Sequence, residues 1–250
     1  MPKKIKSLSI VALTCCEGCQ FAILDLGPKL LALFKNYDLR EFHLVMDDKS
    51  AEKVDIIIVE GTPITKENFV KLKEARGKAK YLIALGSCAH LGGFQQIKNY
   101  GDKVKHLNYV YKKPDGINNP EIKPISDFVK VDFTLPGCPI NNEEFLRVMQ
   151  DLAEDKIPHI EDKPVCWECQ LKGNECLLQK GLPCYGPVTL GGCEAVCPTH
   201  GFPCYACRGP VTKPNVKSLR QIFKKHGLEE KFEILMQEFG AADEILKKNL

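Results

Sequence analysis

Cysteine is the residue through which this 250-residue chain could do chemistry, and there are 13 of them. Eight, namely Cys166, Cys169, Cys176, Cys184, Cys193, Cys197, Cys204 and Cys207, fall within 42 residues. The rest stand at Cys15, Cys16 and Cys19, at Cys88 and at Cys138. Thiolates at this density either ligate soft metals or pair as disulfides. Between the eight lie Pro183, Gly186, Pro187, Gly191, Gly192, Pro198, Gly201 and Pro203, with few large apolar residues. The segment is therefore expected to depend on staples more than on a core of ordinary size.

Eight is two complete sets of four, and the remaining cysteines supply a third set with Cys15 left over. Cys166-x-x-Cys169 and Cys204-x-x-Cys207 would suit a four-thiolate zinc site. Zinc ribbons usually pair two such knuckles, whereas each knuckle here is matched with wider gaps. Iron–sulfur clusters accept irregular spacing, and Cys138-Pro139 and Cys197-Pro198 resemble ferredoxin-type loops. The spacing favours three iron–sulfur clusters, with a zinc-stapled structural protein as the alternative.

The elements that must position these thiols can be read from periodicity. Ile5 to Leu13 is a β-type run that ends at Thr14-Cys15-Cys16-Glu17-Gly18-Cys19. Helical spacing follows from Phe21 to Phe34, broken at Gly27-Pro28, and a second strand is expected at Glu41 to Met46. Val54 to Val59 has the β-branched character of a parallel strand buried on both faces. A helix from about Thr65 to Arg76 leads to a fourth strand, Tyr81 to Leu85, which stops at Gly86-Ser87-Cys88. Residues 92–125 lack a period and read as a long excursion. Val129 to Leu135 reads as a fifth strand ending at Pro136-Gly137-Cys138, before a helix with Phe145, Val148, Met149 and Leu152 on one face.

Strands alternating with helices predict a doubly wound α/β domain with a parallel sheet. Ligands of such sheets bind outside the carboxyl ends of the strands, where Cys16, Cys19, Cys88 and Cys138 all fall. One sheet edge could therefore gather four thiols that are distant in sequence. The expected division is 1–155 for this domain and 156–250 for a small, loop-rich domain. After the cysteines, helices are expected at Lys217 to Lys225, with Gly227 as cap, and at Glu229 to Phe239. They read as packing or subunit-contact helices with a solvated Lys/Glu face.

Other polar residues near the thiols have plainer readings. Cys15 reads as a small buried side chain, or as an alternative ligand beside Cys16. His90 and His200 read as hydrogen-bonding neighbours, and Glu17 and Glu60 as loop carboxylates that could carry protons. No phosphate-binding or dinucleotide Gly-rich motif is present, so nucleotide binding has no support.

Bulk properties exclude several classes. The chain has 44% apolar and 27% charged residues, as an ordered globular protein does. Its 35 basic and 32 acidic residues are dispersed, which argues against nucleic acid as a partner. The opening Met1-Pro2-Lys3-Lys4-Ile5-Lys6 is not expected to be a signal peptide, and no apolar run reaches the length of a membrane span. The expected location is the cytoplasm, where thiols stay reduced and ligate metals.

The cysteine motifs taken together are more specific than their spacing. Thr14-Cys15-Cys16-Glu17-Gly18-Cys19, Gly86-Ser87-Cys88-Ala89, Pro136-Gly137-Cys138-Pro139, Cys184-Tyr185-Gly186-Pro187-Val188-Thr189 and Pro203-Cys204-Tyr205-Ala206-Cys207 resemble the small, electron-transfer subunit of nickel–iron hydrogenases. The likeness covers residues 5 to about 210 and is greatest to the cytosolic bidirectional type that includes archaeal sulfhydrogenases. It implies a flavodoxin-like domain holding a proximal cluster on Cys16, Cys19, Cys88 and Cys138. It implies a distal cluster on Cys166, Cys169, Cys176 and Cys184, and a medial one on Cys193, Cys197, Cys204 and Cys207. Cys166 stands where many periplasmic relatives have His, and Cys197 supplies a fourth medial thiol, so all three clusters are expected to be [4Fe-4S]. Cys15 stands where many relatives carry Glu. A complex I subunit is related but lacks the C-terminal eight cysteines.

The resemblance further implies that the nickel–iron site lies on a separate large subunit and that this chain has no catalytic residue of its own. A flavin and iron–sulfur subunit that reduces NADP is the expected electron acceptor. A deazaflavin or disulfide reductase is the alternative.

Overall fold

In the computed structural model, residues 5–46 and 53–247 are described; the basic opening at Met1 to Lys4 lies outside them. The chain divides into two compact units, Met1–His90 with Asn118–His159, and Leu91–Ile117 with Ile160–Leu250.

The first unit is a five-stranded parallel sheet in the order β2-β1-β3-β4-β5. Its elements are β1 Lys6–Ala12, α1 Gly18–Leu24, α2 Pro28–Phe34, β2 Tyr37–Phe42, β3 Val54–Glu60, α3 Lys66–Lys78, β4 Ala79–Leu85, α4 Gly86–Leu91 (its last residue grouped with the second unit), β5 Phe133–Leu135 and α6 Asn142–Ala153. This is the flavodoxin-like order, whose direction of winding reverses between β1 and β3. The β-branched run of β3 lies at the centre because both its faces are covered: Ile56, Ile57, Ile58 and Val59 are all buried. Each aliphatic side chain buried this completely contributes about 1.5–3 kcal/mol. The sheet therefore has an apolar core of its own.

Two strands differ from expectation. The second is Tyr37–Phe42 rather than Glu41 to Met46. Its register with β1 pairs Lys6 with Tyr37 and Ile10 with Phe42, and Val45 and Met46 then donate back to the Phe42 carbonyl, turning the chain away. The fifth strand shortens to Phe133–Leu135 because Val129 closes a turn onto the Ile125 carbonyl. Asp132 is occupied by Arg76 and by the Leu82 amide.

The second unit has little regular structure around its cysteines. It contains α5 Lys103–Val110, α7 Val165–Leu171, α8 Val196–Thr199, α9 Val216–Lys225 and α10 Lys231–Ile234, with a 3-10 turn over Leu235–Phe239. The expected last helix is thus split, and it ends at Gly240, whose φ of 77° is left-handed. This unit owns an apolar core after all. Val165, Leu177, Leu178, Tyr185 and Val188 come from the cysteine segment, while Leu219, Phe223, Phe232 and Met236 come from the elements after it. Residues between the cysteines supply only part of this core, and the elements that follow them complete it. No described helix is long and apolar enough to cross a membrane.

Candidate metal centres

The first candidate site stands at the carboxyl end of the sheet and is built by loops that lock onto one another. The loop after β1 is tied to that after β3 by reciprocal amide bonds between Thr14 and Thr62, at 3.2 and 3.1 Å. The first turn of α4, directly after β4, is tied to the loop after β5 by the Ser87 amide donating to Gly137 O at 2.8 Å. Gly86 makes a close approach possible: with φ of 75°, a Cβ there would strike Cys19 Sγ and lie 3.3 Å from Gly137 O. These locks bring the segments of Cys16, Cys19, Cys88 and Cys138 to one edge.

The thiols of this edge influence one another. Burial pushes the Cys19 thiol well up, followed by the negative charges of Glu60 and Cys88. Burial, then Cys16 and Glu60, raise Cys138. Cys15 also lies here, pushed up to about 12 by burial first and Glu60 next, with Cys88 contributing. Buried thiols that disfavour their own negative charge are stabilised as thiolates only when a cation supplies the opposite charge.

Glu60 is not an exposed loop carboxylate: it is 1% exposed at the end of β3. Its Oε1 accepts from the Cys19 amide at 3.1 Å, and its Oε2 accepts from Gln20 Nε2 at 2.9 Å. It holds the ligand loop against the point where the winding reverses. Glu17, in contrast, pairs with His43 at 3.0 Å near the surface.

In the second unit, Cys166, Cys169, Cys176 and Cys184 all line one cavity, together with Val165, Leu177 and Pro198. Its volume is about 60 Å³. Cys166 is pushed up to about 12 by burial and then by charge on Cys184, Cys169 and Cys176, the other three members of the set. Gly186 comes so near that a Cβ would lie 3.2 Å from Cys166 Sγ and 3.6 Å from Cys184 Sγ. Among the described residues, no three His, Cys, Asp or Glu side chains are grouped to hold a single ion.

Cys193, Cys197, Cys204 and Cys207 lie on two segments joined by backbone bonds. Leu190 donates to Gly209 O and Val211 to Val188 O, at 2.9 and 3.0 Å, and Phe202 donates to Cys197 O at 2.9 Å. Burial raises Cys193 and Cys197, and it raises Cys204 strongly. The Cys204 amide donates to Cys184 Sγ at 3.4 Å, so this set adjoins the preceding one. Near it, His200 Nδ1 lies 2.8 Å from the Val196 carbonyl, as a hydrogen-bonding neighbour.

Sequence reasoning missed Glu168. Its carboxylate accepts from Gly192 N at 2.6 Å and Ala195 N at 3.2 Å. The only signal was its position between Cys166 and Cys169. It also missed Arg208, 1% exposed, whose Nε donates to Gly191 O at 2.7 Å.

Similarity to known proteins follows the same division. Residues 16–152 match the family described as NADH ubiquinone oxidoreductase, 20 Kd subunit. That match stops before the eight C-terminal cysteines. The sulfhydrogenase 2 delta subunit of Pyrococcus furiosus is 43% identical over 87% of this chain and 92% of its own. A subunit of the vhu F420-non-reducing hydrogenase of Methanocaldococcus jannaschii is 32% identical over 82% of each chain. A chain of an NAD+-reducing [NiFe]-hydrogenase, solved in its H2-reduced state, superposes with a TM-score of 0.57 at 27% identity, covering 63% of this chain and 96% of that one. With a family model matched over more than half its length and a sulfhydrogenase subunit matched from near end to end, this chain belongs to the small subunits of nickel–iron hydrogenases.

Proposed function

We propose that the chain carries electrons between a nickel–iron site on a separate large subunit and an electron-accepting partner in the cytoplasm, through three [4Fe-4S] clusters. The observation that carries this reading is the single cavity lined by all four of Cys166, Cys169, Cys176 and Cys184. Cys16, Cys19, Cys88 and Cys138 would hold the proximal cluster, Cys193, Cys197, Cys204 and Cys207 the medial, and the cavity thiols the distal. The clusters would supply reversible one-electron chemistry. The protein's own part is to ligate, to exclude water and to set each potential through charge and hydrogen bonds to sulfur. A flavin subunit that reduces NADP is the acceptor we favour, by analogy with the NAD+-reducing enzyme.

Cys169→Ser tests the route. In an assembled complex, hydrogen-dependent reduction of the physiological acceptor should fall, while hydrogen–deuterium exchange at the nickel–iron site largely survives, since exchange exports no electron. Loss of both activities, or of neither, would reject export through this set.

A further inference from the structure

Glu168 occupies an unusual position, on α7 between two thiols of one set while its carboxylate serves the loop of the other. Besides accepting from the Gly192 and Ala195 amides, its Oε2 lies 3.9 Å from Cys193 Sγ. The loop wraps the carboxylate closely, with Gly192, Glu194 and Ala195 at φ of 108°, 57° and 48°. A Cβ on Gly191 would lie 3.3 Å from Glu168 Cδ. Arg208 grips the same loop through Gly191 O. The segment bearing Cys193 is thus held on one side by a carboxylate from the neighbouring set and on the other by a buried guanidinium.

On the cluster reading above, we propose that Glu168 is a positioning residue shared by the two cysteine sets of the second unit. It fixes Cys193 against the helix bearing Cys166 and Cys169, and it lowers the potential of the cluster on Cys193 relative to that on Cys166. The sign follows from two effects that act together. A carboxylate near the sulfurs disfavours an added electron, and the two N–H groups it occupies are withheld from the cluster, where hydrogen bonds to sulfur would raise the potential. The effect on electron flow would be to favour residence on the Cys166 set.

Redox titration of the purified complex by electron paramagnetic resonance tests this, each signal being assigned by its loss in Cys193→Ser or Cys169→Ser. Glu168→Gln keeps the side-chain shape and removes the charge. It should retain iron and sulfide and shift the electron partition between the two clusters toward the Cys193 set at least tenfold, about 59 mV for one electron. Glu168→Asp, which keeps the charge, should shift it less. If Glu168→Gln loses the cluster, Glu168→Asp decides: its shorter side chain draws the carboxylate back from Cys193, and a smaller partition shift of the same sign is required. An unmoved partition in a fully loaded variant, or an equal shift of the Cys16 set, would overturn the assignment. Wild-type complex with too little iron for three clusters would overturn the cluster reading instead, before any potential is measured.

Discussion

The two units solve the same problem, holding thiols that repel one another when ionised, with opposite means. In the first, ligand loops hang from strand ends whose registers are set by buried side chains. Ile10, Ile58, Ile83 and Leu85 are all 0% exposed, so the loops are aimed by a sheet that has no need of metal to form. In the second, the cysteines lie on two short helices, α7 and α8, and on loops held by scattered amide bonds, beside a core in which Tyr185 packs on Phe223 at 5.3 Å and Phe232 at 5.9 Å. Each unit also sets a carboxylate on backbone amides of a ligand loop: Glu60 on Cys19, Glu168 on Gly192 and Ala195. Regular structure positions ligands in advance, whereas loops are positioned partly by what they bind.

The largest test of this contrast is removal of the clusters by chelation under oxidation. Hydrogen exchange followed by mass spectrometry should show amides such as Leu190 and Val211 losing protection, while β1, β3 and β4 retain theirs. Exchange appearing first in the sheet would break the comparison.

Next in size are two core truncations. Phe223→Ala should cost about 3–5 kcal/mol and Ile58→Ala about 2–5 kcal/mol in denaturant unfolding. Only the former should also loosen Cys184, because Phe223 stacks on the adjacent Tyr185. Selective weakening of the Cys166 signal in Phe223→Ala, and not in Ile58→Ala, is the outcome that sharpens the contrast; equal weakening in both would remove it.

The smallest effect is one of pH. In the metal-free chain, the Cys166 thiol is raised from an ordinary value of 9.0 to about 12. A raised thiol keeps its proton longer folded than unfolded. Its contribution is therefore complete below pH 9 and is lost as pH climbs toward 12. With the cluster bound, that thiol is already a thiolate ligand and this loss is absent. Melting curves of apo and loaded protein should diverge above pH 9, with the apo form falling; parallel curves would contradict the role given to Cys166.

Legibility in the sequence followed the same physical divide. The run Val54 to Val59 announced a strand buried on both faces, and the cysteines after the first, fourth and fifth strands announced a shared edge, because strand and loop chemistry are local. The second strand was misplaced by several residues because its position depends on pairing with Lys6 to Ile10, which is not local. Asp132 interrupted the fifth strand through partners some 50 residues away. Nothing in the sequence sets Glu168 apart from other acids, and only the fold brings Gly192 to it. Glu60 was noticed for its place after a strand, but its burial depends on the packing of α1 over the sheet end.

The central claim, that twelve of the thirteen cysteines hold three four-iron clusters, is tested most directly by metal and sulfide analysis of the chain purified without oxygen. About twelve iron and twelve acid-labile sulfide per chain, in a brown protein with broad visible absorption, is the expected result, each cluster being held by four thiolates. A colourless protein carrying zinc and no labile sulfide would contradict it.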